Sequence, residues 1–276
     1  MDNVLDQFKL AGRAAVVTGG AGLLGAEFCR TLAEAGAAVA VVDLNAAGAE
    51  RVADGLNRGS HRAQAVPTDI TRPESVRGMV QTVLASFGRL DILVNSAGLD
   101  PKFDAEALAK GLLPGRFEDY PLEQWQQALA ANLTGLFLIT QACVQPMLEH
   151  GKKGSIINLC STYGLNGPDQ RIYHKEGRPQ SFKPVYYSVT KAGVLGFTKY
   201  LAAYYAGTEL RVNALTPGGV FNQHDETFVN HYSAKTILGR MARKDEMNGA
   251  LLFLASDASS YMTGGNVVVD GGWTAW

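Results

Sequence analysis

The chain has 276 residues, 46% of them hydrophobic, and its 25 basic and 26 acidic side chains leave a net charge of −1. That length suits one large α/β domain or two small ones, and the balanced charge, with no basic run, excludes nucleic acid as the expected partner. Cys29, Cys143 and Cys160 are far apart and form no Cys-x-x-Cys, which argues against a disulfide framework or a metal site and for free thiols in a reducing compartment.

The first ten residues are mixed and acidic and lack the basic start and apolar core of a signal peptide. No apolar run approaches the ~20 residues of a membrane span, so a cytoplasmic location without membrane attachment is expected. Residues 14–17 form a short apolar run that reads as a buried strand, followed by a glycine-rich turn over 19–25. Leu24, Phe28, Leu32 and Ala35 then recur at helical spacing, and a second buried strand at 38–42 stops at Asp43. Strand, glycine turn, helix, strand and acid in this order suit a dinucleotide. Glycines admit the pyrophosphate, the helix start offers unpaired N–H groups, and the acid, 18 positions after Gly25, accepts from ribose hydroxyls.

Further strands are predicted at 62–66, 90–94, 154–159, 210–214 and 266–269, with helices between them. This alternation predicts a doubly wound α/β fold with a parallel sheet of about seven strands. No composition shift marks a boundary, so 1–276 is read as one dinucleotide-binding domain. Two regions rich in glycine and proline interrupt the rhythm, 99–121, with a short helix at 104–110, and 164–184. Both follow strands, at the end of the sheet where such folds bind ligands.

Several residues in this frame could carry chemistry. Asp69 ends the third strand, where it or the Asp69–Ile70 backbone could meet an adenine ring or start the next helix. Asn95, Ser96, Ala97 and Gly98 close the fourth strand with little bulk, as close approach of a flat group or a tight turn would require. Asn132 sits mid-helix among apolar neighbours, where its amide must find a partner, a water included. Ser161 follows the fifth strand and could donate to a substrate carbonyl. Of 10 tyrosines only Tyr187 has a lysine four positions on, Lys191. The two share a helix face, and an ammonium there favours the phenolate, so Tyr187 could exchange a proton with an alcohol or ketone. Gly193 and Gly196 in the same helix suggest close packing against another backbone.

The ordered set of Thr18–Gly25, Asp69, Asn95–Gly98, Asn132, Ser161, Tyr187–Lys191, Arg211–Gly218 and the ending Val269–Gly272 resembles the classical short-chain dehydrogenase/reductase family over nearly the whole chain. The resemblance implies NAD(P)-dependent hydride transfer between a secondary alcohol and a ketone. Tyr187 would be the acid/base, Lys191 would tune it and hold the nicotinamide ribose, Ser161 would orient the substrate oxygen, and Asn132 would hold a relay water. The implied cofactor-binding set is Gly19, Gly22, Leu24, Gly25, Asp43, Asp69, Ile70, Asn95, Ala97, Gly98, Pro217, Gly218 and Val220, with Tyr187 and Lys191. Asp43, with no Arg or Lys in the 18–25 loop, favours NAD over NADP. Self-association as a homotetramer or homodimer is expected, through Leu133, Leu136, Phe137 and Thr140 on one helix, Val194, Phe197 and Leu201 on another, and the tryptophan-bearing tail.

Three departures from the family pattern stand out. Leu23 occupies a usual glycine position, so the loop resembles that of extended members, many of them sugar-nucleotide enzymes. Asn222 replaces a threonine. Ser161 and Tyr187 are 26 positions apart, about twice the family spacing, which makes 166–183 an insertion at the substrate mouth. The insertion carries Asp169, Gln170, Arg171, His174, Lys175, Glu176 and Arg178. This polar rim points to a polar small-molecule substrate, a polyol, sugar or sugar derivative, with Arg171 as the contact. Insertion and tail together resemble a subgroup linked to bacterial flagellin and surface-sugar modification. The alternatives are a catalytically silent dinucleotide-sensing protein and a sugar-nucleotide epimerase.

Overall fold

The computed structural model describes residues 3–100, 116–151, 153–174, 176–177 and 180–276. The helix expected at 104–110, with Pro101, Gly111, Pro114 and Gly115, lies outside these residues, as do Lys175 and Arg178. Seven parallel strands form one sheet: β1 (Ala14–Thr18), β2 (Ala38–Asp43), β3 (Ala63–Pro67), β4 (Ile92–Asn95), β5 (Lys153–Leu159), β6 (Glu209–Pro217) and β7 (Asn266–Val269), in the order β3-β2-β1-β4-β5-β6-β7. The chain winds outward from β1 to β3 and then returns to place β4 on the other side of β1. Val16 pairs with Ala40 on one side and Leu93 on the other. The winding direction reverses between β1 and β4, which opens a crevice at the carboxyl ends of these two strands.

The helices are α1 (Leu23–Glu34), α2 (Ala46–Arg58), α3 (Pro73–Phe87), α4 (Leu122–Leu129), α5 (Gly135–Glu149), α6 (Val185–Tyr204), α7 (Glu226–Ser233) and α8 (Asn248–Ala255). Both faces of the sheet are covered, which is why the central strands read as unbroken apolar runs. On one face Ala15, Val17, Val39 and Val41 pack with Phe28 and Leu32 of α1 and Leu251 and Leu254 of α8. On the other, Val16, Ala40 and Val42 pack with Met79 and Val83 of α3 and Ile139 and Met147 of α5. The alternation along β1 is the period of two of an extended chain. Fully burying one such large side chain contributes about 1.5–3 kcal/mol.

Between α4 and α5, residues Ala130–Thr134 form a π-helical turn, so Leu122–Glu149 runs as one continuous helix. By length and composition it could cross a membrane. Its buried side chains, among them Leu136, Ile139, Cys143, Val144 and Met147, belong instead to the protein core.

Two packing expectations change. Leu136, Thr140, Val194 and Leu201, assigned above to self-association, are buried in the single chain. The large apolar side chains exposed on α5 and α6 are Phe137, Val189, Tyr200 and Tyr204. Neither glycine of α6 meets a backbone: a Cβ on Gly193 would lie 3.0 Å from Leu133 Cδ2, and one on Gly196 would face open space. The close backbone approach to α6 comes from Gly164, whose Cβ would lie 2.7 Å from the Lys191 carbonyl carbon.

Candidate active site

The turn after β1 forms one wall of the crevice. Gly19 has φ +66°, and a side chain there would press on the Ala97 backbone at 2.9 Å. A Cβ on Gly25 would lie 2.0 Å from the Gly19 carbonyl oxygen, so α1 reaches this close to the turn only without one. Gly22 is the N-cap of α1 and supplies no side-chain acceptor to its first N–H groups. Leu23 opens the helix, and both Leu23 and Leu24 line the crevice. An uncapped helix start behind a turn whose one side chain is the Ala21 methyl is a cradle for an anion. Asp43 ends β2 with Oδ2 accepting from Ala21 N–H at 3.0 Å and Oδ1 from Asn45 N–H at 2.9 Å, which fixes a carboxylate beside that turn. These residues fit a dinucleotide: a pyrophosphate at Gly19–Gly25 and a ribose at Asp43.

Ser161, Tyr187 and Lys191 converge across a cavity of about 340 Å³ lined also by Gly98, Asp100, Pro217, Gly218, Val220 and Asn222. Ser161 sits just past β5 and caps the turn Thr162–Gly164 by accepting from Tyr163 N–H at 3.2 Å. Pro184 precedes α6 and starts it so that Tyr187 and Lys191 occupy its first two turns. Lys191 Nζ donates to Leu159 O at 2.9 Å and lies 5.8 Å from the Tyr187 ring centroid. Burial pushes the Tyr187 phenol well above its ordinary range, the charge of Asp100 adds to this, and a hydrogen bond with Ser161 works against it. Burial also lowers the Lys191 ammonium. Desolvation of the ring thus acts against the lowering expected from Lys191, whose ammonium is tied to a carbonyl.

Other expected residues stand back from the cavity. Asn132, in the π turn, accepts from Leu99 N–H at 2.6 Å and donates to Leu99 O at 3.1 Å and Thr190 Oγ1 at 3.2 Å. It joins the loop after β4 to α6. Asn95 is withdrawn into the sheet, where its amide donates to Thr140 Oγ1 at 3.0 Å and Asn158 Oδ1 at 2.8 Å. Its buried Oδ1 has no hydrogen-bond partner among the described residues. Asp69 accepts from the N–H and hydroxyl of Thr71 at 2.9 and 2.6 Å. The α3 N-cap is Arg72, so Asp69 organises the turn before that helix. Ile70 packs over Gly135. Ala97 N–H is held by Thr18 Oγ1 at 3.1 Å, a tie between β1 and β4 that the sequence did not single out.

Arg171 is not brought to the cavity. Its guanidinium forks onto Asp169 at 2.8 Å through both Nε and Nη2, and its side chain is 88% exposed. Among the described insertion residues Tyr173 lines the cavity, and so does the last, Lys183, whose side chain is only 8% exposed. With it come groups that sequence reasoning missed. Tyr163, Tyr173, Tyr232 and Phe228 form an aromatic wall, with Trp273 stacked on Tyr232 at 4.3 Å. His224 also lines the cavity; burial lowers its pKa, and its Nδ1 accepts from Asn222 N–H at 3.1 Å, both of which favour the neutral imidazole. Among the described residues no cluster of His, Cys, Asp or Glu could hold a metal ion.

The chain matches, over residues 20–274, a family model described as enoyl-(acyl carrier protein) reductase. It is 38% identical over 274 residues to a D-threitol dehydrogenase of Mycolicibacterium smegmatis, covering 97% of this chain and 95% of that one. It is 37% identical over 267 residues to a 3-alpha-(or 20-beta)-hydroxysteroid dehydrogenase of Mycobacterium bovis, covering 97% of this chain and 91% of the other. Among solved structures, it resembles a gluconate 5-dehydrogenase from Burkholderia cenocepacia in complex with NADP and tartrate, with a TM-score of 0.84 at 30% identity over 99% of this chain and 100% of that one.

Proposed function

The chain belongs to the classical short-chain dehydrogenase/reductase family, and from that premise we propose that it interconverts a polyol-type secondary alcohol and its ketone with NAD. One observation carries the reading: Ser161, Tyr187 and Lys191 line the same cavity as the glycine cradle Gly19–Gly25, which fits a dinucleotide. A nicotinamide dinucleotide bound there supplies the hydride acceptor or donor. Ser161 Oγ orients the substrate oxygen. Tyr187 Oη takes the hydroxyl proton as the alcohol is oxidised and returns it as the ketone is reduced. Lys191 holds a ribose and favours the phenolate once Tyr187 gives up its proton. A second cavity of about 10 Å³, lined by Thr18, Asn95, Asn132 and Lys191, is the size of one water. That supports Asn132 in a proton relay.

The choice of NAD rests on Asp43. Its carboxylate, held in place by two backbone N–H groups, would face a 2′-phosphate as a like charge. The similar Burkholderia structure contains NADP, so the test is direct. Titrating both cofactors by protein fluorescence should give tighter binding of NAD, and equal or tighter binding of NADP would overturn the choice.

The polyol class rests on the polar groups Ser161, Asp100, Lys183 and His224 in the cavity wall, and on the named activities of the threitol and gluconate enzymes. The chain acts as one dinucleotide-binding domain, and the described part of the insertion borders the substrate mouth through Tyr173 and Lys183. A reducing, cytoplasmic setting agrees with three buried free thiols. Threitol, other polyols and a hydroxysteroid can be screened at the nicotinamide absorbance. Turnover of polyols is expected, and turnover of the steroid alone would overturn the substrate class.

A further inference from the structure

The insertion is polar, yet of its described charged residues only Lys183 lines the cavity. Asp169 is occupied by Arg171 and by Lys235 from beyond α7. Gln170 turns back on the end of its own loop, accepting from Lys183 N–H at 2.8 Å and donating to Lys183 O at 3.2 Å. Both backbone polar groups of Lys183 are thus clamped, and its side chain is delivered inward. There Nζ lies 4.0 Å from the Tyr187 ring centroid and 2.5 Å from Asp100 Oδ1. The two partners differ in exposure, Lys183 being 8% and Asp100 63% accessible. Asp100 comes from the loop after β4, so the pair joins the two loops that interrupt the strand–helix rhythm, beside the reacting phenol.

Resting on the polyol reading above, we infer that Lys183 and Asp100 form a donor–acceptor couple that reads a hydroxyl adjacent to the reacting carbinol, making neutral vicinal diols the preferred substrates. The ammonium donates to a hydroxyl oxygen, and the carboxylate accepts a hydroxyl hydrogen. A vicinal diol can satisfy both groups without bringing a new charge into a partly closed site. A carboxylate would gain Lys183 but meet Asp100 as a like charge. A simple secondary alcohol would separate the pair from solvent and give it nothing to bond. The aromatic wall, whose Tyr163 ring centroid lies 5.9 Å from Lys183 Nζ, offers a face to the C–H groups of such a substrate.

The test compares threitol, 2-butanol and gluconate with wild type, Lys183→Met and Asp100→Asn, with NAD affinity by fluorescence as the check on folding. The kcat/KM ratio of threitol to 2-butanol should fall at least about tenfold in Lys183→Met, through KM more than kcat. In Asp100→Asn, the ratio of gluconate to threitol should rise by about tenfold. An unmoved threitol ratio in a folded Lys183→Met overturns the inference, as does an unmoved gluconate ratio in Asp100→Asn. Should Lys183→Met fail to fold, Asp100→Asn decides alone. A loss confined to kcat and shared by threitol and 2-butanol would instead assign Lys183 to Tyr187 and overturn the specificity role. If wild type oxidises no polyol, the substrate class falls and this inference with it; if it does and the ratios stay fixed, only the couple falls.

Discussion

At the scale of single residues, the site depends on how a buried phenol titrates. Burial holds Tyr187 in its protonated form well above neutral pH. A neutral phenol is the donor that ketone reduction needs, whereas alcohol oxidation needs the phenolate. Below the pKa of Tyr187 the phenolate fraction rises about tenfold per pH unit, so kcat/KM for oxidation should climb from pH 7 to pH 10. Reduction should stay nearly flat over the same range. Rates in both directions, followed at the nicotinamide absorbance, check this, and an oxidation rate independent of pH from 6 to 10 would contradict it. Tyr187, Lys191 and Ser161 were legible in the sequence because their signal is local: an i,i+4 pair on a helix and a serine at a strand end. The direction of the pKa shift was not, because it comes from desolvation by groups far away in sequence. Lys183 was hidden for the same reason. Nothing local distinguishes it from Arg171; what separates them is that Asp169 holds the arginine at the surface and Gln170 turns the lysine inward.

At the scale of elements, apolar runs announced the strands to within a few residues, and most plainly the central ones, since a parallel strand covered on both faces has no polar side to confuse the pattern. The π turn Ala130–Thr134 gave no such signal, although Asn132 drew attention as an amide among apolar neighbours. Its partners, Leu99 and Thr190, lie 33 and 58 positions away. The turn earns its irregular geometry by aiming this amide at both groups of the Leu99 backbone. Asn132→Ala should leave these groups without their partner and destabilise the fold by about 1–3 kcal/mol. Urea denaturation monitored by tryptophan fluorescence measures this, and wild-type stability would show that the turn holds for other reasons.

At the scale of the whole molecule, the doubly wound sheet was legible from the alternation of elements, but the assembly surface was only half so. Periodicity marks an apolar face without saying whether it meets the sheet or another chain. Leu136, Thr140, Val194 and Leu201 proved to be core, and Phe137, Val189, Tyr200 and Tyr204 are exposed. The tail divides in the same way: Trp273 folds back onto Tyr232, while Trp276 stays exposed with its indole N–H on Lys235 O at 3.0 Å. Exposed apolar groups on α5 and α6, with the open edge of β7, support the proposed homotetramer. Light scattering at micromolar concentration should give four times the mass of the 29.5 kDa chain, and a monomer would contradict it. The proposed function has this cavity oxidise a polyol with Tyr187 as the proton carrier. Its most direct test is the nicotinamide absorbance during oxidation of threitol by wild type and Tyr187→Phe, each first shown to bind NAD with equal affinity. Turnover is expected in the wild type and a loss of about 10²–10⁴-fold or more in the variant; turnover in Tyr187→Phe close to that of the wild type would overturn the role of Tyr187.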